Sequence, residues 1–374
     1  MLKNQNFLQI KIYKMKFMPN KYNKSFSEAI NEALEFSMKK DKNLICYGLG
    51  ATDPKNIFGT TKNLEKKFGK KRVFDVPCSE NALTGVSIGA AMAGIKSVVT
   101  HQRLDFFLLA MDQLVNSAAK WYFMFGGKVS IPITIRLIIG KGWGQGPTHS
   151  QNLQAWFAHI PGLKVVMPTF PQDARDLLID SINDPNPVIF LESRWLHSQR
   201  DKVSKKINKK VIGKSKIVKP GKHITIVAMS YLVIEALKAS KYLKTVQNID
   251  CEIIDIRTIK PLDYKTIYKS VKKTKSLLVL DTGNKICSVA SEIVSTIIMN
   301  KKIKLKKRPE IISMPDIPEP TSYALTKNFF IDYKKITIKV LKMFNKKDKK
   351  SLNNFFKKDK LHHDQPHQKY FGPF

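Results

Sequence analysis

Short apolar runs alternate with amphipathic segments along most of the chain, and this alternation predicts parallel α/β units. The first amphipathic segment, 25–39, predicts a helix that is capped by Ser25 or Ser27. Six short runs rich in apolar and β-branched residues follow and predict the strands of a first sheet: 44–48, 72–76, 96–100, 131–139, 163–167 and 187–191. The mostly apolar segment from Leu104 to Phe125 predicts one long helix, which Gly126 and Gly127 end.

The chain has 374 residues, which is long for a single core and predicts two domains. Residues 201–222 are polar, basic and poor in apolar side chains, so they are the predicted linker after a first domain at 20–200. Three further apolar runs predict the buried strands of a smaller α/β domain at 223–345: 223–229, 249–256 and 276–280. The basic tail, 346–374, ends in aromatic residues, which favours an arm that docks on a partner; a disordered tail is the alternative.

The composition, 43% hydrophobic and 10% aromatic, suits a packed globular protein, and no apolar run is long enough for a membrane span. Residues 1–16 lack the apolar core and the cleavage site of a signal peptide, and Met15 and Met18 are alternative starts. The four cysteines are far apart and form no C-x-x-C pair. They predict buried thiols in a reducing compartment, and hence a cytoplasmic protein.

The formal net charge of +35 raises the question of nucleic-acid binding. Many of the lysines, however, lie in connecting segments together with Asn and Ile, as an AT-rich coding bias produces: 202–222, 301–308 and 334–360. No nucleic-acid-binding signature accompanies them. Specific nucleic-acid binding is therefore disfavoured.

Glu80 follows an apolar run and precedes a stretch of small residues at 82–94, which predicts a strand, a tight turn and a helix that another backbone can approach closely. A carboxyl group buried at this entry would favour its protonated form and could donate a hydrogen bond near neutral pH. The alternative is a carboxylate that only interacts with the helix dipole, a contribution of about 0.3–1 kcal/mol.

The glycine-rich loop 140–147 follows a predicted strand but does not match a nucleotide-binding loop. Pro147 stands where the dinucleotide motif has its third glycine, and the phosphate-binding G-x-x-x-x-G-K-[ST] pattern is absent. A loop at the carboxyl end of a parallel strand is typical of an active site. His149, just after it, is the best acid–base candidate, with an exposed loop histidine as the alternative.

Two further features each allow two interpretations. Phe106 and Phe107 fit a protein core, but one of them could form a flat platform for a heteroaromatic ring. The segment 184–187, Asp-Pro-Asn-Pro, fits a turn, and its oxygens could also help to hold a hard cation.

The order of several motifs resembles the transketolase-like thiamine-diphosphate enzymes. The closest resemblance is to the beta subunit of the decarboxylating component of 2-oxo acid dehydrogenase complexes, such as the pyruvate, branched-chain and acetoin dehydrogenases. It covers about 25–341, and five segments carry it: 79–94, 111–120, 149–151, 161–168 and 257–263. It implies a parallel-sheet pyrimidine-binding domain followed by a transketolase C-terminal-like α/β domain.

The resemblance also implies roles for individual residues. Glu80 would hydrogen-bond a ring nitrogen of the cofactor's aminopyrimidine and favour the imino tautomer that deprotonates the thiazolium carbon. Phe106 would lie under the aminopyrimidine, and His149 would handle the substrate or the transferred acyl group. Four residues would hold a structural monovalent cation, commonly potassium: Ile133, Ile182, Asp184 and Asn186.

Members of this family hold the diphosphate through Mg²⁺ on a Gly-Asp-Gly…Asn motif, and no Gly-Asp-Gly occurs in this chain. The resemblance therefore implies that an alpha subunit holds the Mg²⁺ and the diphosphate in an alpha2beta2 heterotetramer. The small-residue helix after Glu80 suits such a subunit junction. The implied reaction is decarboxylation of a 2-oxo acid, with pyruvate as the default, and transfer of the acyl group to a lipoyl-bearing acyltransferase.

Two departures from the family pattern bear on the substrate. Gly48-Leu49-Gly50 replaces the usual Gly-Glu-Asp, and the segment 100–105 is more basic than in pyruvate-type relatives. His101 and Arg103 would either meet an anionic substrate or form salt bridges with Asp105. Two alternative functions also remain open: one subunit of a split transketolase-like ketol transferase, or a non-catalytic basic scaffold.

Overall fold

The protein is described by a computed structural model that covers residues 22–140, 144–346 and 349–357. The predictions on the N-terminal start, on residues 141–143 of the glycine loop and on the aromatic end of the tail lie outside these residues. Within the described part of the chain, no helix is both long enough and apolar enough to span a membrane.

The strands are short and buried for the most part. In chain order they are β1 (Asn23–Ser25), β2 (Leu44–Tyr47), β3 (Val73–Phe74), β4 (Lys96–His101), β5 (Ile133–Ile139), β6 (Lys164–Val166), β7 (Val188–Ser193), β8 (Arg200–Lys202), β9 (Lys216–Lys219), β10 (Ile224–Ala228), β11 (Cys251–Asp255), β12 (Thr258–Lys260), β13 (Leu277–Asn284) and β14 (Glu310–Met314).

The α-helices lie between the strands and after the last of them. They are α1 (Phe26–Lys40), α2 (Leu64–Phe68), α3 (Glu80–Met92), α4 (Leu104–Phe107), α5 (Ala119–Met124), α6 (Gln154–His159), α7 (Pro171–Asn183), α8 (Tyr231–Gln247), α9 (Tyr264–Thr274), α10 (Val289–Met299), α11 (Tyr323–Phe329), α12 (Tyr333–Met343) and α13 (Lys349–Lys357).

The first sheet has seven strands in the order β12-β6-β7-β5-β4-β2-β3. All neighbours in it are parallel except β12, which pairs antiparallel with β6. The second sheet has the order β14-β13-β10-β11-β9, and only β9 runs antiparallel to its neighbour. These two sheets confirm the predicted α/β fold with mostly parallel strands.

The two halves of the chain interlock. Strand β12 comes from the second half but extends the edge of the first sheet. Strand β9, at Lys216–Lys219, lies inside the segment predicted to be a linker and pairs with β11 of the second sheet. The polar composition of 201–222 reflects an exposed edge strand and its approach, since an edge strand has one open side.

Helix α1 begins where the sequence predicts. The Ser25 hydroxyl accepts a hydrogen bond from the Glu28 amide at 3.1 Å, and the Glu28 carboxylate accepts one from the Ser25 amide at 2.6 Å. This reciprocal pair is a capping box, so Ser25 rather than Ser27 is the cap. The apolar stripe of α1 then packs on α7.

The predicted single helix at 104–125 is wrong. The structure divides it into α4, a 3₁₀ turn at Leu108–Ala110, a π-helical stretch at Gln113–Ala118 and α5. Most of its buried residues are spaced first by three and then by four, at Leu104, Phe107, Ala110, Leu114 and Ala118, and Ala119 is buried as well. A tight 3₁₀ turn followed by a wide π turn keeps these five spaced residues on one face, which a uniform α-helix does less well.

The prediction of four buried thiols is only half right. Cys46 and Cys251 are buried, and burial raises the pKa of Cys46 to about 11 and that of Cys251 to about 12. Cys78 and Cys287 are exposed because they lie in connections, before α3 and α10 respectively, rather than in strands.

The described part of the tail forms α13, which packs back on its own chain. The Phe355 ring lies 4.8 Å from that of Tyr242 and 5.6 Å from that of Tyr333. The Ser351 hydroxyl also hydrogen-bonds the Tyr242 hydroxyl at 2.9 Å. This part of the tail therefore docks on α8 and α12.

Candidate active site

Four parallel strands of the first sheet, β3, β2, β4 and β5, end at one edge of that sheet. Glu80 follows β3, Phe106 follows β4 and His149 follows β5. Because the carboxyl ends of parallel strands meet at one edge, the fold brings these three predicted residues to the same side of the sheet. Ligands in open α/β sheets bind at this edge.

Glu80 is the first residue of α3, and its side chain is half-buried. Among the described residues, its carboxylate has no hydrogen-bond or salt-bridge partner. The carboxylate of Asp75, five residues earlier, already has hydrogen-bond partners. Its Oδ1 accepts hydrogen bonds from the Gly50 and Val76 amides at 2.8 Å each. Glu80 is therefore the carboxylate in this turn that is available to an incoming group.

Helix α3 is held in place by Tyr47, a residue that the sequence did not single out. The buried Tyr47 hydroxyl donates to the Leu83 carbonyl oxygen at 2.9 Å and also bonds the Ser87 hydroxyl. Its ring stacks on Phe74 with the centroids 5.0 Å apart. The end of β2 thus fixes the first turns of α3, and with them the position of Glu80.

The other side of α3 is open. Val86 is 60% exposed and Met92 is 50% exposed, although both are apolar. Gly89 has no heavy atom within 4 Å of the position that a side-chain carbon would occupy. A second chain can therefore approach this helix closely beside Glu80.

Phe106 and His149 contact each other. Their ring centroids are 5.4 Å apart and the ring planes are nearly perpendicular, at 88°. Phe107 is fully buried in the core, whereas Phe106 is half-buried and faces a cavity. The structure thus separates the two interpretations of this pair: Phe107 is a core residue, and Phe106 has a ring that a ligand can reach.

The segment that carries His149 is tied to the Phe106 helix. The Asp105 carboxylate accepts hydrogen bonds from the Gln151 backbone amide at 3.3 Å and from the Gln151 side-chain amide at 2.9 Å. The Thr148 hydroxyl lies 3.0 Å from Nδ1 of His149. The predicted salt bridge from His101 or Arg103 to Asp105 is wrong: among the described residues Oδ1 of Asp105 accepts only from Gln151, and Oδ2 is buried without a hydrogen-bond partner.

A cavity of about 280 Å³ opens beside these rings. Phe106 and His149 line it together with Lys55, Phe58, Arg103 and Gln145. Glu80 lies at the same edge of the sheet but does not line this cavity. The carboxylate at the start of α3 and this aromatic, basic cavity therefore both lie at the carboxyl edge of the sheet.

His101 does not face a ligand. It is 6% exposed, packs edge-on against Phe107 with the centroids 5.0 Å apart, and its Nε2 has no hydrogen-bond partner. Burial lowers the pKa of His101 to about 4, so the imidazole is neutral near pH 7. The hypothesis that His101 meets an anionic substrate is wrong, since a buried neutral ring attracts no anion.

His101→Phe is expected to make the protein less sensitive to acid. The unfolded histidine takes up its proton near pH 6.5 and the folded one only near pH 4, so the free energy of unfolding falls as the pH drops through this range. Between pH 7 and pH 5 the original chain should lose about 2 kcal/mol of its free energy of unfolding, and the variant should not show this loss. Urea unfolding at pH 7 and pH 5 measures this.

His159→Phe is the matched control, because His159 is exposed. It should show the same difference in the free energy of unfolding between pH 7 and pH 5 as the original chain. An equal pH dependence for the original chain and His101→Phe would contradict the prediction.

The four residues predicted to hold a monovalent cation lie at the opposite, amino-terminal edge of the sheet. Ile133 begins β5, Ile182 lies in the last turn of α7, and Asp184 and Asn186 lie between α7 and β7. Thr134 of β5 pairs with Val188 of β7, so the two segments are neighbours.

The oxygens at this turn fit a monovalent cation only in part. The Lys164 ammonium contacts both Asp184 oxygens, at 2.7 and 2.6 Å, which already compensates that carboxylate. Oδ1 of Asn186 is buried and has no hydrogen-bond partner. The described residues contain no cluster of three or more His, Cys, Asp or Glu side chains suited to a metal. Neutral amide and carbonyl oxygens are therefore the ligands that this turn offers.

Known families match both halves of the chain. The family model "Transketolase, pyrimidine binding domain" matches residues 23–198, and "Transketolase, C-terminal domain" matches residues 213–336. A pyruvate dehydrogenase E1 component subunit beta from Rickettsia conorii is 39% identical over 78% of this chain and 90% of its own length. The chain belongs to the family of 2-oxo acid dehydrogenase beta subunits. This result confirms the recognition from sequence motifs.

Other members of the family give the same result. The beta subunit of acetoin:2,6-dichlorophenolindophenol oxidoreductase from Cupriavidus necator is 37% identical over 80% of this chain and 91% of its own length. The mitochondrial pyruvate dehydrogenase E1 beta subunit from Bos taurus is 35% identical over 85% and 90%. These enzymes belong to the transketolase-like, thiamine-diphosphate-dependent group.

A solved structure agrees on the fold. The chain of a split-gene transketolase, described as an inactive beta4 tetramer, superimposes with a TM-score of 0.69 over 87% of this chain and 99% of that chain. Only 18% of the residues are identical, so the match supports the fold and not the reaction.

Proposed function

We propose that this beta subunit supplies the aminopyrimidine half of a thiamine-diphosphate site that an alpha subunit completes. The observation that carries the proposal is the uncommitted Glu80 carboxylate beside the open, small-residue face of α3. A chain without a Gly-Asp-Gly motif needs another source of Mg²⁺ and diphosphate ligands. The relatives named as E1 beta subunits imply an alpha partner, which we place in an alpha2beta2 heterotetramer.

The residues present fit one half of the cofactor. Bound thiamine diphosphate supplies the nucleophilic carbon and the electron sink that decarboxylation of a 2-oxo acid requires. Glu80 would hold a proton on its carboxyl group and donate it to a ring nitrogen of the aminopyrimidine. A partner chain packed on α3 would desolvate the half-buried carboxyl and favour this protonated form.

Phe106 and His149 would act at the cavity on the same edge of the sheet as Glu80. The accessible ring of Phe106 would form the platform for the aminopyrimidine, as flat aromatic surfaces do for heteroaromatic rings. Thr148 contacts Nδ1 of His149, which leaves Nε2 to hold or move a proton on the substrate or on the transferred acyl group. The edge contact with Phe106 keeps the imidazole oriented.

We further propose that the assembly passes its acyl group to a lipoyl-bearing acyltransferase and works in the cytoplasm. Pyruvate and acetoin occur in the names of the relatives, so pyruvate is the first substrate to assay. The proposal is tested by co-expressing the chain with a candidate alpha subunit and measuring carbon dioxide release with an artificial electron acceptor. Activity should require thiamine diphosphate and Mg²⁺, and chelation of the Mg²⁺ should abolish it.

Product analysis separates the competing functions. Carbon dioxide release and acylation of a lipoyl domain support the proposal, whereas ketol transfer between sugars supports a split transketolase. An assembly that binds thiamine diphosphate but turns over neither kind of substrate would support the non-catalytic scaffold.

The cation site is proposed to hold potassium on Asn186 and on main-chain oxygens near Ile133, Ile182 and Asp184. Replacing K⁺ by a bulky organic cation should lower the melting temperature by about 2–4 °C for each kcal/mol of lost binding free energy. Asn186→Ala should remove this K⁺ dependence.

Asn183→Ala is the matched control, because the Asn183 side chain only caps the Ile179 carbonyl at 2.8 Å in the same turn. It should retain the K⁺ dependence. Equal melting temperatures with and without K⁺ in the original assembly would argue against the site. Thermal unfolding followed by circular dichroism measures both variants.

A further inference from the structure

A second cavity, of about 300 Å³, lies against the segment that carries His149. Residues of both halves of the chain line it: Pro147 and 150–153 from the first, and Thr282, Asn284, Met314, 316–319 and Phe329 from the second. It shares no lining residue with the cavity beside Phe106, so the two cavities are distinct. Small-molecule sites are commonly clefts of this size where two domains meet.

Each of the three amide side chains in this wall directs its nitrogen to another protein group and leaves its oxygen without a donor. The Asn152 amide nitrogen donates to two main-chain carbonyl oxygens, at 3.3 and 3.2 Å, and that of Asn284 donates to another at 2.7 Å. The Gln151 amide nitrogen donates to Oδ1 of Asp105 at 2.9 Å. Among the described residues, none donates a hydrogen bond to the side-chain oxygens of these three amides. The wall is therefore rich in acceptors.

Ser150 provides a buried hydroxyl group in the same wall. The residue is 1% exposed, and its Oγ has no hydrogen-bond partner among the described residues. A buried hydroxyl group without a partner is destabilising, and most such groups in proteins are paired with protein or with an ordered water. An occupant of the cavity that donates to Oγ would supply the missing partner.

The charged residues that line this cavity are acidic. They are Asp316 and Glu319, and no described residue of the wall is Lys, Arg or His. The whole chain has 65 Lys and Arg against 30 Asp and Glu, so this wall reverses the sign of charge that prevails elsewhere. Asp316 is exposed and has no hydrogen-bond or salt-bridge partner among the described residues. Its carboxylate is therefore available to a positively charged group.

Another part of the wall is apolar. Leu153, Met314 and Phe329 are among the residues that form it, and Met314 and Phe329 are 5% and 7% exposed. A bare metal ion would fill little of the volume and would leave this part uncovered. The described residues also contain no cluster of three or more His, Cys, Asp or Glu side chains suited to a metal. An organic cation with a short carbon chain fits both the acidic and the apolar part.

From these observations we infer that this cavity binds a small primary amine. An ammonium group has three donors and no acceptor, which matches a wall that offers the Asp316 carboxylate, the Ser150 hydroxyl and amide oxygens. The carbon chain would lie on the apolar part of the wall. Pro147 and Ser150 lie on either side of His149, so a bound amine would also restrain the segment that carries the acid–base candidate.

Calorimetric titration of the full-length chain tests the inference with butylamine and 1-butanol, which differ mainly in charge. Butylamine should bind at least about 10-fold more tightly, and Asp316→Asn should remove most of this difference. Glu310→Gln is the matched control, because it removes a partly exposed carboxylate at the other end of β14 and should leave the difference unchanged. No binding of butylamine, equal binding of the two probes, or an unchanged difference in Asp316→Asn overturns the inference.

Hydrogen exchange locates the bound probe. Butylamine should slow the exchange of backbone amides in 147–153 and 314–319, and 1-butanol at the same concentration should not. Ser150→Ala should weaken butylamine binding by about 2- to 10-fold, the effect of one lost hydrogen bond. Protection confined to other segments, or full affinity in Ser150→Ala, overturns the assignment of the amine to this cavity. Neither experiment measures decarboxylation, so the result is independent of the proposed function.

Discussion

Glu80→Gln is expected to lower thiamine-diphosphate-dependent decarboxylation by about 10³-fold while the assembly remains intact. The amide has nearly the shape of the carboxyl group, but it cannot release and recover the proton that a change of tautomer in the aminopyrimidine requires. Single-turnover kinetics with an artificial electron acceptor measures the loss. Calorimetric titration of the cofactor should show that the variant still binds it.

Glu65→Gln is the matched control, since Glu65 is also an acidic residue in the first turn of a helix, α2. If Glu80 only interacted with the helix dipole, both variants would lose about 0.3–1 kcal/mol of stability and neither would lose activity. Full activity in Glu80→Gln would therefore remove the proposed role.

Arg136→Met is expected to reduce the free energy of unfolding by about 3–5 kcal/mol, because it leaves a buried charge without its partner. Arg136 of β5 and Glu192 of β7 are both fully buried and form a salt bridge at 2.8 Å. Burial by itself would raise the pKa of Glu192, but the Arg136 guanidinium and His197 outweigh it and hold this pKa below its usual value. Urea unfolding at pH 7 measures the loss.

A double variant distinguishes an unpaired charge from lost packing. Arg136→Met combined with Glu192→Leu removes both charges and should recover most of the stability, because paired apolar replacements of buried ion pairs are close to neutral. A double variant as unstable as Arg136→Met would show that packing, and not the orphaned carboxylate, causes the loss. Activity is a further readout, since the His197 ring lies 5.9 Å from Phe58 of the cavity wall.

The salt bridge and the buried histidine also predict acid sensitivity. The pKa of Glu192 is depressed in the folded protein. Its contribution to the free energy of unfolding is therefore fully present above the ordinary glutamate pKa and disappears as the pH falls through the pKa of the folded protein. Burial lowers the pKa of His197 to about 4, so its contribution falls between about pH 6.5 and pH 4. Arg136→Met removes the guanidinium that depresses the Glu192 pKa, so the variant, although less stable at pH 7, should lose less free energy of unfolding than the original chain as the pH falls from 7 to 4.

Local sequence patterns determined much of this protein. The alternation of apolar runs and amphipathic segments specified two mostly parallel sheets, and a serine at 25 or 27 before an amphipathic segment specified the start of α1 to within two residues. The order strand, turn and small-residue helix placed Glu80 at the first residue of α3. Hydrogen bonding and apolar periodicity over a few residues decide each of these features, so the sequence suffices for them.

Contacts between distant segments decided the rest. Only the tertiary structure shows that Phe106, and not Phe107, faces the cavity, that Tyr47 anchors α3, and that Gln145 and Phe58 hold Arg103. It also gives the segment after Leu104 a 3₁₀ and a π turn, and it adds β12 to the first sheet. Each of these features depends on which surfaces pack together across long sequence separations, and local propensity carries no information about that choice.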